Sequence, residues 1–366
     1  MTWNLDFENI VGLCFVDAAN ISSMNKGVAT CMKECCPFAL YVHCYGHLLN
    51  LAIQDTMTQI EPVRNALGTI QSLYNFLEAS PKRHAIFVDI QSDLKPIVRS
   101  LKSFSVTRWS CHWEVVKAVH EELETIVMSL LRLADNRDVK IYTTSRALLR
   151  TICDFDFVLG LCILKVTLGS TSSLSKYLQG EKVDVMAARR NASSIIKALQ
   201  KCRNESNFKL LRKKAEVLSK NMKVWIADTE FTFKDAKIPR KKASKRLQAM
   251  LGETSSTPTD TVVLDSPESH HKVNTYYSSL DKVLLELQTR FNSNDQEVLC
   301  SLGDIAPQEK PNERSFDTVS AFYKLDRDLL EADFGIFKNV KADDETLNSS
   351  TTASEIYEAL HQADLI

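Results

Sequence analysis

An acidic residue follows a short apolar strand in the segment CFVDAANISSMNKG, residues 14–27, and small residues and an Asn come next. A carboxylate at the end of a strand is typical of metal-dependent phosphoryl-transfer sites, in which divalent cations stabilise the attacking and leaving oxygens. The acid here is Asp17, and the residue before it is the apolar Val16. Successive side chains of a strand point to opposite faces, so a shift of one position decides whether the carboxylate faces a metal.

A second group with chemical potential is the pair Cys44 and His47, in the stretch HCYGHLLN. A Cys and a His three residues apart supply two zinc ligands, but a structural zinc site takes four, with the second pair at a defined spacing. Cys35 and Cys36 are adjacent to each other and do not give that spacing, and His43 adds one group. The pattern therefore favours the alternative, a small buried Cys and a hydrogen-bonded His at a strand–helix junction.

The stretch TRWS, residues 107–110, follows a predicted loop and precedes a predicted helix. One interpretation places Arg108 on a phosphate and stacks Trp109 on a base. The alternative, which the residues alone favour, is a Trp packed at the start of a helix.

The strongest electrostatic signal is the run KIPRKKASKRL at 237–247, within a basic segment that spans 209–246. Clustered cations release counterions when they bind phosphates, so the run favours nucleic acid, and it also suits nuclear import. A solvated basic loop explains it equally well. The candidate nucleic-acid-binding residues of the run are Lys237, Arg240, Lys241, Lys242, Lys245 and Arg246.

Composition excludes several classes of protein. The 366 residues carry a formal net charge of -1, and 44% are hydrophobic, which is ordinary for one or two globular domains. The ten irregularly spaced cysteines do not form a disulfide framework and favour a reducing compartment. The amino terminus lacks a signal-peptide pattern, and Phe155–Val166 is too short to span a bilayer, so an intracellular protein without membrane contact is predicted.

The candidate residues must be positioned by a short α/β region and a long helical region. Apolar runs predict strands at 10–16 and 39–42, and helical spacing follows at 57–80 and, approximately, at 112–135, 142–180, 183–222, 273–292 and 318–338. Residues 252–272, rich in Ser, Thr and Pro at their start, predict a flexible loop. The predicted domains are a partial core over 1–105, an all-α region over 106–340 and a final segment over 341–366.

Taken together, VDAANISSMNKG, CYGHLLNLAIQD and VTRWSCHWEVVKAV resemble, in order and spacing, motifs of the hAT superfamily of DNA transposases. The likeness is greatest to domesticated descendants such as the zinc finger MYM-type proteins, and YYSSLDKVLLELQTRF at 276–291 resembles a later segment of these relatives. The resemblance implies a ribonuclease-H-like α/β core, here partial and truncated at both ends, that is interrupted by a large all-α insertion.

The family uses three acidic residues to hold two divalent metals. Alignment on Asn20 places Val16 at the second acid and Asp17 at the following Gly, and Val cannot ligate Mg²⁺. The first acid has no counterpart before the strand. Glu313 lies in ERSF beside Pro311, which on its own predicts an exposed loop and departs from the family's terminal ERxFS motif. The resemblance therefore predicts an inactive enzyme with vestigial Asp17 and His47, no bound metal, and Mg²⁺ as a cofactor only if activity is retained.

The hypothesis from sequence is a catalytically inactive, transposase-derived nuclear protein that binds DNA through Arg108, Trp109 and the basic run. His47 corresponds to a family residue near the reacting phosphate, and Trp109 to one that we assign to unpaired DNA. The alternatives are a protein-interaction scaffold whose acidic carboxyl end meets the basic run of another copy, an active recombinase, or a transposon relic that does not fold stably. The sequence leaves oligomeric state open, because the family's dimerisation segment is missing.

Overall fold

The computed structural model describes residues 10, 12–15, 27–36, 39–78, 80–95, 101, 110–180, 183, 185–237, 266–291, 297–305, 311–350 and 353–362. The chain divides into two compact units. The first unit comprises residues 1–53, 171–198 and 285–366, and the second comprises 54–170 and 199–284.

Helices dominate the described residues, which confirms the prediction of a predominantly helical protein. The two strands are β1 (Gly12–Phe15) and β2 (Leu40–His43). The helices of the amino-terminal half are α1 (Val28–Cys35), α2 (Tyr45–Gln59), α3 (Glu61–Glu78), α4 (Pro81–Leu94), α5 (Ser110–Glu121), α6 (Leu123–Ala134), α7 (Val139–Ile152) and α8 (Phe155–Tyr177). The rest are α9 (Val185–Cys202), α10 (Glu205–Trp225), α11 (Pro267–His270), a π-helix (His271–Tyr277), α12 (Ser278–Phe291), α13 (Glu297–Ile305), α14 (Glu313–Tyr323), α15 (Arg327–Asp343), α16 (Glu345–Ser349) and α17 (Ala353–Gln362).

In the first unit the two strands pair in parallel, with Gly12 opposite Leu40 and Phe15 opposite His43. Parallel neighbours need a crossover connection, and α1 lies in the chain between them. The two predicted strands are thus confirmed, and α2 follows β2 as expected. Within the described residues this pair is the whole sheet, so the predicted ribonuclease-H-like α/β core is not confirmed.

The first part of α8, residues 155–170, belongs to the second unit. Val158, Leu159 and Leu161 are fully buried, which confirms the prediction of a buried helix over this apolar stretch. Among the described residues, α8 is the one helix long and apolar enough to cross a membrane. Because 67% of its apolar window is buried in the protein, its environment is that of a core helix.

Several predicted long helices are interrupted where a specific contact or cap ends them. The predicted helix at 142–180 breaks at Cys153 and Asp154, where the backbone pairs with Lys234: the Lys234 amide donates to the Cys153 carbonyl at 2.9 Å. The predicted helix at 183–222 breaks before α10, whose cap Asn204 accepts a hydrogen bond from the Asn207 amide. A helix cap or a long-range contact is harder to recognise in the sequence than the helical spacing of apolar residues.

The predicted flexible loop at 252–272 is wrong at its carboxyl end, since helix begins at Pro267. Ser266 caps that helix by accepting from the Ser269 amide, and Pro267 fits the first helical turn because its missing amide is not needed there. Tertiary contacts then anchor the segment. His271 is buried, and its Nε2 lies 2.9 Å from the Asp156 Oδ1. Residues 252–265 lie outside the described part of the chain.

Candidate nucleic-acid interface

The strand edge of the first unit carries the predicted Cys and His. Because β1 and β2 are parallel, both strands end at the same edge of the sheet, at Phe15 and His43. Val16 and Asp17 lie outside the described residues, so their predicted roles stay predictions. His47 lies in the first turn of α2, half-buried, and its Nε2 is buried without a hydrogen-bond partner. The predicted strand–helix junction is confirmed, and the hydrogen bond expected for the His is not made at Nε2.

Tyr45 occupies the same turn, stacked on Phe291 with ring centroids 5.5 Å apart. Its hydroxyl is buried without a hydrogen-bond partner. Burial raises the pKa of Tyr45 to about 12, against an opposing effect of Arg189. The phenol therefore stays neutral at physiological pH and cannot serve there as a base.

The described residues offer no metal centre at this edge or elsewhere: no group of three or more His, Cys, Asp and Glu side chains is placed to hold an ion. Cys44 and His47 therefore remain two isolated candidate ligands within the part of the chain that the structure describes. Burial, and then the nearby Cys44, raise the pKa of the Cys14 thiol, which disfavours the thiolate that a metal needs.

Glu313 is not in a loop, contrary to the expectation from Pro311. It is the first residue of α14, where the side chain of Asn312 caps the helix by accepting from the Arg314 amide. Asn-Glu at this position is a standard helix start, since an acid in the first turn is favoured by the helix dipole. Glu313 is exposed there.

In the second unit, the predicted DNA-contacting residues fall largely outside the described part of the chain. This holds for Arg108, Trp109, Arg240, Lys241, Lys242, Lys245 and Arg246. The helix expected after Trp109 is present, since α5 begins at Ser110.

Lys237, the first residue of the basic run, is described and exposed. It lines a cavity of about 430 Å³ together with Arg150 and Lys234. Glu61, Asp154 and Asp156 line the same cavity, and the Lys234 ammonium lies 3.7 Å from an Asp154 carboxylate oxygen. The start of the run is thus at the surface beside two further cations, in a setting of mixed charge.

A second surface of this unit was not predicted from the sequence. Helices α5, α8 and α10 line a groove of about 810 Å³ that contains Trp113 and the exposed Leu210 and Val217. Its charged lining residues are all basic: Lys165, Lys213 and Lys214. We call this surface the α10 groove. Its signal in the sequence is the seven-residue spacing of Leu210 and Val217 within a lysine-rich helix.

The charges of α10 are only partly compensated. Lys209, Arg212 and Lys223 have carboxylate partners in Glu205, Glu216 and Asp235 at 3.6, 2.9 and 2.6 Å. Lys213, Lys214 and Lys220 have no carboxylate partner among the described residues.

His120 lies at the α10 groove with its Nδ1 3.1 Å from the Lys165 ammonium nitrogen. Burial, and then Lys165 and Lys214 against an opposing effect of Glu121, lower the pKa of His120 to about 4. The imidazole is therefore neutral at physiological pH, and the positive charge of the groove comes from its lysines.

Comparison with known families finds one similar domain, over part of the chain. Residues 42–155, from β2 to the start of α8, match the ZBED1 RNase-like helical domain. This agrees with the observed helical architecture of that range.

Two relatives match a larger part of the chain. The human "52 kDa repressor of the inhibitor of the protein kinase" is 27% identical over 206 residues, which cover 54% of this chain and 27% of that protein. The mouse protein of the same name is 26% identical over 210 residues, with the same shares. The match thus spans about a quarter of the relatives' length. No solved structure shows significant similarity.

Proposed function

We propose that this chain derives from a hAT transposase, similar to the domesticated MYM-type proteins, and that it binds DNA in the nucleus without cutting it. The match to the ZBED1 RNase-like helical domain supports this origin. The relatives are named as repressors, which agrees with a binding role rather than an enzymatic one. Loss of cutting follows from Val16 at the position of the family's second acid, because its side chain offers no oxygen to Mg²⁺.

The observation that carries DNA binding is the exposure of Lys237, the first residue of the basic run, on the second unit. From Lys237 the run continues through five further cations to Arg246. When clustered cations bind a phosphate backbone they release its counterions, and this release makes binding more favourable. In this proposal, Arg108 and Trp109 add a phosphate contact and a stacking contact to unpaired bases.

The direct test is fluorescence anisotropy with duplex and hairpin DNA over a series of salt concentrations. The parent chain should bind with salt-dependent affinity and prefer the hairpin, and Trp109→Ala should reduce that preference. Equal hairpin binding by the parent and by Trp109→Ala, together with a flat salt dependence, would contradict the proposal. An unfolded sample would support the transposon-relic alternative instead.

Loss of catalysis has its own test. The chain should not nick hairpin or duplex DNA in Mg²⁺ or Mn²⁺. Metal-dependent nicking that disappears in Asp17→Ala would restore the recombinase hypothesis, because it would show that Asp17 reaches a metal despite the shift.

A scaffold function is the second candidate, and one specific observation favours it. Both units expose apolar side chains at helical spacing: Leu210 and Val217 in one, Leu329 and Ile336 in the other. Exposed apolar faces of this kind mark sites where another protein surface binds.

A further inference from the structure

The α10 groove has the architecture of a helix-binding site. Leu210 and Val217 are 53% and 51% exposed and lie two turns apart on α10. Trp113 of α5 lines the groove close to α8: a methyl group at Gly169 would approach its ring to 3.1 Å. Two apolar residues seven positions apart present a continuous stripe about 10 Å long, which matches two turns of a partner helix.

The charges at the groove define the chemistry of its occupant. Lys213 and Lys214 border the Leu210–Val217 stripe on its two sides, and Lys165 adds a third cation from α8. No Asp or Glu lines the groove among the residues that the structure describes. An apolar stripe between cations is poorly matched to nucleic acid, whose backbone offers phosphates but no aliphatic side chains. It is well matched to an amphipathic helix that has acidic borders.

The chain itself contains such a helix. In α15, Leu329 and Ile336 are 60% and 63% exposed and have the same seven-residue spacing. At 3.6 residues per turn, the exposed Asp333 borders this stripe between Leu329 and Ile336, and the exposed Asp343 lies seven residues beyond Ile336 at the end of the helix. A methyl group at Gly335, in the same helix, would meet no described atom within 4 Å.

The basic residues of α15 do not interfere with this face. Arg327, Lys338 and Lys341 lie on the opposite side of the helix by the same periodicity. The Arg327 guanidinium is engaged with Asp317 and, at 2.8 Å, with Glu331. The outward face of α15 is therefore apolar and acidic without a competing cation from its own helix.

We infer that two copies of this chain associate through the docking of α15 of one copy in the α10 groove of the other. Leu329 and Ile336 pack on Leu210 and Val217, and the Asp333 carboxylate lies at the level of Lys213 and Lys214. The two surfaces are different, so the contact is heterologous: it closes if two copies exchange helices reciprocally and otherwise continues into longer assemblies.

The test measures self-association of the full chain by sedimentation over a range of concentrations, and binding of a fluorescein-labelled peptide of residues 325–344. The parent should associate with increasing concentration and bind the peptide. The double variants Leu210→Asp/Val217→Asp and Leu329→Asp/Ile336→Asp should remain monomeric. The groove variant should bind the peptide at least about 10-fold more weakly.

Charge reversal distinguishes this contact from simple hydrophobic adhesion. Lys213→Glu/Lys214→Glu should weaken association, and Asp333→Lys on the partner should partly restore it, because the two changes together re-create opposite charges. The matched controls are Lys220→Glu, on the same helix but outside the groove lining, and Val139→Asp, which replaces another exposed apolar residue. Neither control should change association.

Three outcomes would overturn the inference. The first is a folded chain that stays monomeric and does not bind the peptide. The second is association that the groove and α15 variants leave unchanged. The third is displacement of the peptide by duplex DNA together with loss of DNA binding in Lys213→Glu/Lys214→Glu, which would assign the groove to nucleic acid. DNA binding that persists in all these variants leaves the proposed function intact, so the two ideas fail separately.

Discussion

Gly160 of α8 lies directly against the backbone of α3, because a methyl group at this position would come within 2.7 Å of the Pro62 carbonyl oxygen. It would also approach the Ala66 side chain to 3.0 Å. Two helix backbones can come this close only where one residue lacks a side chain. The contact joins the buried α8 to α3, whose residues Pro62 and Ala66 line the same cavity as Asp154.

Gly160→Ala should therefore destabilise the fold by about 1–3 kcal/mol, even though Ala has the higher helix propensity, because backbone atoms must move. Gly68→Ala is the matched control: Gly68 is in the middle of α3, and a methyl group there would meet no described atom within 4 Å. This control should stabilise the protein by about 0.5–1 kcal/mol. Urea unfolding measures both, and a stabilising effect of Gly160→Ala would show that the helices can separate freely.

Glu122 is a buried carboxylate whose charge is held by neighbours from two other elements. The Lys95 ammonium donates to it at 2.9 Å and Thr125 at 3.1 Å, while only 3% of its side chain is exposed. Burial alone would raise the pKa of Glu122, but hydrogen bonds from Gln91, Lys95 and Thr125 outweigh it and lower the pKa. Lys95→Met should therefore cost about 3 kcal/mol, since it leaves a buried charge without its cation.

The pH dependence of that cost has a definite sign. A carboxyl group with a lowered pKa stabilises the folded state above its unfolded pKa, and this contribution is lost as pH falls through the folded pKa. The cost of Lys95→Met should therefore shrink in acid, below the ordinary Glu range. The control is Arg132→Met, which removes an exposed ion pair with Asp89 at 2.7 Å and should cost under about 1 kcal/mol. Equal costs for the two variants would contradict this account.

His120 should make the protein less stable in mild acid. Its pKa of about 4 is set by burial and then by Lys165, so the unfolded chain binds a proton between about pH 6.5 and 4 while the folded chain does not. Stability therefore rises with pH in this window, and His120→Asn should flatten the rise.

Lys165→Met should raise the pKa of His120, which NMR titration of the imidazole measures directly. An unchanged pKa in Lys165→Met would indicate that burial alone sets it.

The elements that local pattern determines could be predicted from the sequence. Both strands, α2 and the buried α8 follow from apolar runs and helical spacing, which act over a few residues. The break at Asp154 could not, because it depends on backbone pairing with Lys234, eighty positions away. Likewise the helix that begins at Pro267 is anchored by the contact between His271 and Asp156, and no local signal reports that contact.

The candidate sites also divide into those that local sequence pattern predicts and those that depend on the folded structure. Spacing alone identified Cys44 and His47, and the structure places them at the expected junction. The α10 groove was missed because Leu210 and Val217 look like the core positions of any amphipathic helix until their exposure is known. The charge pattern identifies the basic segment 209–246. It does not show which lysines of that segment lack carboxylate partners among the described residues.

The salt dependence of DNA binding gives the sharpest test of the basic run. If Lys237, Arg240, Lys241 and Lys242 each neutralise a phosphate, changing all four to Gln should lower the slope of log affinity against log salt by about 3–4. Binding should weaken similarly for all DNA sequences, because phosphate contacts carry no base information. Lys140→Gln, at an exposed position in α7, is the matched control and should leave the slope unchanged. An unaltered slope in the quadruple variant, with binding intact, would mean that the run is a solvated loop and that other cations bind the DNA.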